Sequence, residues 1–239
     1  MKKQFSWMTI LMVAVVSVSL VSCGDDEKTP DDTPVDPLGL CPDNHHPHKI
    51  DLGVGVKFAC CNVGATSPIE CGDYFAWGET TTKSRYDVGT YKWCRGANRT
   101  LTKYNSYSGN GTVDNKTQLE LSDDAARANW GSTWRMPTAD ELEKLNNNCT
   151  WIWTTLNDVS GYKVTGSNGN SIFLPAAGCN YGDSGLDSDG DFGLYWSSSL
   201  SSSVYNSETA FYLEIYSNFH GVYTGWGRDS GLSVRPVTE

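Results

Sequence analysis

Asp51-Leu52-Gly53-Val54-Gly55-Val56-Lys57-Phe58-Ala59 alternates apolar and polar residues without a break. Leu52, Val54, Val56 and Phe58 share one side, and Asp51, Gly53, Gly55 and Lys57 the other, which is the two-residue period of a half-buried strand. At the far end of the chain, Leu232-Ser233-Val234-Arg235-Pro236-Val237 reads as a last strand, with Pro236 suited to an edge or a strand end. The two segments predict neighbouring strands that bring the ends of one domain together. The chain between them, about 190 residues, is long enough for a single well-buried core.

Working inward, Asn62-Val63-Gly64-Ala65 turns the chain, and Gly72-Asp73-Tyr74-Phe75-Ala76-Trp77-Gly78-Glu79 follows with glycines near both ends. Residues 95 to 121 are rich in Gly, Asn, Ser and Thr and read as a long surface excursion with few core positions. Two helices are predicted. Ser122 caps a short one from Asp123 to Asn129, with Asp123 and Asp124 at the positive end of its dipole. In the second, Thr138 and Glu141 form a capping box, and Leu142 and Leu145 supply the apolar stripe. Strands are expected at Thr150 to Thr155, Gly161 to Val164 and Ser171 to Leu174, with Asn168-Gly169 as a type I′ hairpin turn. Ala210 to Tyr216 alternates again, opposing Phe211, Leu213 and Ile215 to Tyr212, Glu214 and Tyr216. The expected class is a single α+β domain with two short helices and mostly antiparallel strands.

Upstream of the domain, Met1-Lys2-Lys3-Gln4 is followed by an apolar run from Met8 to Leu20 and then Val21-Ser22-Cys23. The run is too short for a comfortable membrane span and reads as a secretory signal, residues 1–22. Leu20-Val21-Ser22-Cys23 resembles the lipobox of bacterial lipoproteins, in which the cysteine is acylated; lipidation at Cys23 is stable anchoring with several acyl chains. Residues 23–47 form an acidic, proline-rich tether that carries Pro30, Pro34, Pro37, Pro42 and Pro47, stiffened into an extended spacer. Its acidic cluster, Asp25-Asp26-Glu27, resembles the surface-export signal of Bacteroidetes lipoproteins. The expectation is an outer-membrane lipoprotein exposed at the cell surface, with the folded domain at 48–239.

Six strings now carry a family resemblance in order along the domain: Asp51-Leu52-Gly53 to Ala65, Gly72 to Glu79, Trp134-Arg135-Met136-Pro137-Thr138, Phe173-Leu174-Pro175-Ala176-Ala177-Gly178, Tyr195-Trp196-Ser197-Ser198 and Ser233-Val234-Arg235-Pro236-Val237. Together they resemble the Fibrobacter succinogenes major paralogous domain, a family found on lipoproteins of gut Bacteroidetes and similar in fold to C-type lectins. That resemblance implies paired terminal strands, two flanking helices and an irregular loop region that presents the ligand surface. The calcium-dependent sugar triplets of C-type lectins, Glu-Pro-Asn or Gln-Pro-Asp and Trp-Asn-Asp, do not occur here.

The chemistry of the chain narrows its function. The sequence has 18 basic and 28 acidic residues, net charge −10, with no basic run. That balance argues against nucleic acid and anionic membrane surfaces as partners. No Gly-x-Ser-x-Gly, His-Glu-x-x-His or phosphate-binding glycine loop appears, and no reactive cysteine pair lies near the C-terminus, so the expectation is a binding protein without catalysis. Cys41, Cys60, Cys61, Cys71, Cys94, Cys149 and Cys179 are odd in number and contain no C-x-x-C pair, and adjacent Cys60 and Cys61 on a strand would point to opposite faces. His45, His46 and His48 form a patch in the tether that makes a poor metal site if exposed. Asp183, Asp187, Asp189 and Asp191 form an oxygen-rich loop open to calcium, although Phe192 and Ser198 stand where an EF-hand needs glycine and glutamate.

The richest binding composition is C-terminal. Aromatics among Ser, Asn, Gly and Asp give large contact area with adaptable hydrogen bonding, as in antibody paratopes. The expected ligand surface is residues 205 to 229: Tyr205, Tyr216, Tyr223 and Trp226 as stacking platforms, and Asn218, His220, Arg228 and Asp229 as hydrogen-bonding partners. Phe211 and Phe219 are expected in the core. The implied partner is an extracellular glycan or protein, and the alternative is a structural, fimbria-associated envelope subunit.

Overall fold

The computed structural model describes residues 46–182, 185–187, 190–201 and 207–239. Among them the fold is α+β, with two α-helices and mostly antiparallel strands. No helix of the described residues is long and apolar enough to cross a membrane.

The opening segment departs from a single strand. β1 (Lys49–Asp51) and β2 (Lys57–Ala59) are an antiparallel hairpin with Ile50 opposite Phe58. Leu52, Val54, Val56 and Phe58 are nevertheless all buried, as the alternation requires. The chain turns because Gly53 and Gly55 sit at φ +77° and +97°, a region that side-chain-bearing residues avoid. Periodicity therefore identifies the buried side and misses the conformation.

β3 (Tyr74–Phe75) follows, and then the segment 95–121 that the sequence casts as surface. It contributes Leu101, Tyr104 and Leu119 to the core and buries Asn105 and Asn110. Asn105 earns its burial by donating to the carbonyls of Tyr107 and Thr112, so polar composition here hides satisfied interior groups. Helix α1 (Ala125–Trp130) starts two residues later than expected. Its cap is Asp124, which accepts from the Arg127 N–H, while Ser122 lies in a preceding 3₁₀ turn. Asp123 bonds to Lys103 Nζ and Tyr104 Oη, both at 2.6 Å, instead of serving the helix end. Helix α2 (Ala139–Asn148) carries the predicted capping box between Thr138 and Glu141, and Leu142 and Leu145 are buried.

β4 (Thr150–Leu156), β5 (Val159–Thr165) and β6 (Ser171–Pro175) form a meander. The β5–β6 connection is a three-residue loop: Gly169 N–H donates to the Gly166 carbonyl and only Gly169 has positive φ, which replaces the type I′ turn by a type I turn with a bulge. β7 (Cys179–Asn180) and β8 (Leu186–Asp187) make a short pair. Then come β9 (Phe192–Leu200), β10 (Thr209–Tyr216), β11 (Phe219–Gly227), β12 (Leu232–Ser233) and β13 (Val237–Thr238).

The central sheet runs β11-β10-β9-β12-β3, antiparallel except for the β9–β12 contact. The final segment is divided between two sheets. β12 joins the central sheet, whereas β13 pairs with β2, Val237 opposite Phe58. The expected meeting of chain ends thus holds for Val237 and fails for Leu232. The break falls at Arg235, whose guanidinium donates to the carbonyls of Ala59, Cys60 and Phe173 and to Asn62 Oδ1.

The central sheet has a core on each face. One face, with Tyr195, Leu213 and Ile215, packs against Leu142 and Leu145 of α2, the meander and the β1–β2 loop. The other, with Leu194, Trp196, Ala210 and Tyr212, is covered by Trp77, Tyr104, Ala125 and Ala126. Tyr212 is consequently buried rather than solvent-facing, and Phe211 is only half-buried. A register shift between Ala210 and Phe211 accompanies this exchange.

Candidate functional site

The covering layer of the second face ends before the sheet does. Along β9, β10 and β11 the facing pairs are Trp196–Tyr212–Tyr223, then Leu194–Glu214–Gly221, then Phe192–Tyr216–Phe219. Trp196 is fully buried, yet Tyr216, Phe219 and Tyr223 are 39%, 38% and 39% exposed. Exposed rings of this size on one face of the sheet form a contiguous apolar patch, the kind of surface that marks interaction sites. Their ring centroids form a continuous chain. Phe192 stacks on Tyr216 at 5.6 Å, Tyr216 lies 6.5 Å from Phe219, Phe219 5.5 Å from Tyr223, and Tyr223 6.5 Å from Tyr212.

Gly221 makes room for this face. A Cβ built at Gly221 would lie 2.6 Å from the Tyr223 ring, so that ring lies directly over the glycine backbone. Glu214 stands beside it on the middle strand. Its carboxylate has no hydrogen bond or ion pair among the described residues, and burial beside the rings raises its pKa. The surface therefore combines flat apolar faces with one poorly solvated hydrogen-bond acceptor.

The residues expected to act together divide among several places. Tyr216 and Tyr223 belong to the exposed face. Trp226 lies at its inner end, 6.0 Å from Tyr212; it is half-buried against the core, and its indole N–H is enclosed without a partner among the described residues. Asn218 is exposed in the two-residue β10–β11 turn. Tyr205 lies outside the described residues. His220 is on the opposite side of β11, stacked on Trp151 at 4.4 Å, with Nδ1 2.7 Å from Asn146 Oδ1. Burial lowers its pKa, so the neutral ring is favoured there. It cannot share a small ligand with Tyr223. Phe219, expected in the core, is exposed at the hairpin end and belongs to the face instead.

Arg228 requires the clearest correction. It is 1% exposed, and its guanidinium donates to Tyr91 Oη and to the carbonyls of Tyr104, Ser207 and Lys103. It also lies 4.8 Å over the Trp77 ring. Among the described residues no carboxylate pairs with it; carbonyl dipoles and aromatic faces stabilise the charge. Arg228 is an internal brace, with four of its five N–H donors committed to the protein. Asp229, next to it, lines a cavity of about 330 Å³ with Glu208, Tyr181, Cys94 and Gly225. Burial raises its carboxyl pKa. This cavity lies beyond the Gly225 bulge, apart from the aromatic chain.

Of the calcium candidates, Asp183 and Asp189 lie outside the described residues, as does Cys23. Asp187 and Asp191 are exposed and belong to no cluster of three described metal-ligating side chains. The tether histidines behave differently from an exposed patch. His46 and His48 are half-buried, and both approach Cys60: His46 Nδ1 lies 3.1 Å from its sulfur, and the His48 backbone N–H donates to it at 3.1 Å. His45 lies outside the described residues. Cys60 and Cys61 follow the end of β2 in a bend, so their thiols meet instead of diverging.

Sequence reasoning did not find Glu214, Gly221 or Phe192 as parts of the site. The signal was present in the pairing register, since all three fall on the side of Tyr216 and Tyr223, but register requires knowing which strands are neighbours. No family model, curated protein or solved structure matches the chain. The α+β domain and its uncovered aromatic face are therefore the basis for assigning function.

Proposed function

We propose that this chain is a surface-exposed, lipid-anchored binding protein of adhesin type, whose domain is C-type-lectin-like and recognises a glycan or protein ligand. The observation that carries the reading is the run of exposed rings Tyr216, Phe219 and Tyr223, continued by the half-buried Phe192, with Glu214 beside it. Flat aromatic faces stack on the apolar faces of sugar rings or on peptide side chains, and a carboxylate with spare acceptor capacity takes their hydroxyl or amide protons. Support for the fold assignment comes from Val237 pairing with Phe58 and from the helix α2 beside the central sheet. The lipid anchor rests on Leu20-Val21-Ser22-Cys23 and the surface exposure on the acidic run behind it.

A second reading has its own observation. β11 is nine residues long and is the outermost strand of its sheet. Such an edge accepts an added strand, which is how a fimbria-associated envelope subunit would assemble. A glycan array combined with pull-down from envelope extracts separates the two. Array hits support the adhesin, and recovery of a single envelope protein that protects the β11 amides from exchange supports the subunit. Cys23→Ser should release or mislocalise the protein, and protease shaving of intact cells should remove the domain; a domain untouched by shaving contradicts surface exposure.

A further inference from the structure

The junction of tether and domain carries a second, unrelated cluster. His46, Cys60 and Cys61 each offer a ligand atom, and these atoms lie within 4.8 Å of one another. It is the one such group of three among the described residues. Both cysteines are buried and His46 is half-buried, so the cluster is held by the fold and not by chance contact of exposed side chains. The Cys60 sulfur accepts the His48 backbone N–H, an arrangement that favours negative charge on sulfur. Behind it, the Arg235 guanidinium is fixed on the carbonyls of Ala59 and Cys60, which locks the backbone from which both thiols project.

From these contacts we infer that His46, Cys60 and Cys61 bind a thiophilic divalent cation of the zinc class. Two sulfurs and an imidazole nitrogen are soft-to-borderline donors that select zinc over magnesium or calcium. In a tetrahedral zinc site, ligand atoms stand about 3.5 to 3.8 Å apart, given bond lengths of roughly 2.1 to 2.3 Å. His46 Nδ1 and Cys60 Sγ, at 3.1 Å, would open by about half an ångström to reach that spacing, and the widest separation in the cluster would close by about an ångström. Three protein ligands leave the fourth position to water. On binding, each of two thiols loses its proton to solvent as its sulfur bonds the cation, with no change of oxidation state. Because His46 precedes β1 and the cysteines follow β2, the cation ties the end of the tether to the domain.

Titration of the purified, reduced full chain with Co²⁺ tests this, followed by displacement with Zn²⁺. The expected result is one cation per chain, with intense thiolate-to-cobalt charge-transfer bands and tetrahedral visible bands that Zn²⁺ abolishes. His46→Ala should weaken binding at least about tenfold, and Cys61→Ser should cut the charge-transfer intensity to roughly half, leaving the Cys60 thiolate alone. His46→Ala alters a half-buried residue at the domain's start and keeps the test valid if Cys61→Ser misfolds. Binding without charge-transfer bands would show chelation by histidines alone and overturn the assignment. So would an unchanged affinity in His46→Ala, or a Cys60–Cys61 disulfide in the protein isolated from cells without reductant.

Discussion

Residues 216–223 and 226–229 are close neighbours in sequence and similar in composition, yet they do opposite work. The first stretch puts Tyr216, Phe219 and Tyr223 on an open sheet face, with Gly221 supplying the space for a ring. The second turns inward after the Gly225 bulge, at φ +127°, and buries Arg228 among carbonyls and the Trp77 ring. An aromatic or an arginine in a glycine-rich C-terminal segment therefore says little by itself. What decides its role is whether the covering layer of Trp77, Tyr104 and α1 reaches it.

The comparison breaks first, and most heavily, at Arg228. Arg228→Ala leaves three buried carbonyls and Tyr91 Oη without their donor. The expected loss is about 3–5 kcal/mol of stability, the range for removing one member of a buried polar or ionic cluster. Urea unfolding measures it; a loss under about 1 kcal/mol would mean that Arg228 is no brace. On the open side, Tyr223→Ala should change stability by less than about 1 kcal/mol while weakening ligand binding by about 1–3 kcal/mol, the range of interface hot spots. Paired unfolding and binding measurements on the same variant give both values.

Gly221→Ala sharpens the contrast without removing a ring. Its Cβ would meet the Tyr223 ring at 2.6 Å, and that ring can swing away. Binding should fall, by less than for Tyr223→Ala, with the fold intact; unaltered binding would show that the ring's placement over Gly221 is irrelevant. The smallest effect concerns Glu214. Burial raises its folded pKa above the unfolded value, so the folded state holds the proton more tightly. Stability contributed by the neutral carboxyl is then present below the unfolded pKa and declines as pH rises through the ordinary carboxylate range to the raised value. Glu214→Gln should flatten that decline in a pH series of unfolding midpoints.

Much of the fold was legible, for reasons tied to particular residues. The capping box at Thr138 and Glu141 and the stripe at Leu142 and Leu145 are local signals, and the structure realises both. The alternation at 51–59 correctly named the buried side but read a hairpin as a strand, because two positive-φ glycines satisfy the same period. Residues 95–121 looked like surface because their composition is polar, yet Asn105 is buried by donating to the Tyr107 and Thr112 carbonyls within the segment and Tyr104 by donating to Asp123 just beyond it. The site was half legible. Tyr216 and Tyr223 follow from composition and alternation, whereas the burial of Arg228 depends on carbonyls more than a hundred residues away in the chain.

The central claim is that the uncovered aromatic face, and not the adjoining cavity, meets the ligand. The most direct test is a glycan array and envelope-extract pull-down run in parallel on the wild type, on Phe219→Ala/Tyr223→Ala and on Asp229→Asn. The account predicts that the aromatic double variant loses the wild-type hits while its melting temperature is preserved, and that Asp229→Asn keeps them. Hits retained by the double variant and lost in Asp229→Asn would contradict it and move the ligand to the cavity beside Glu208.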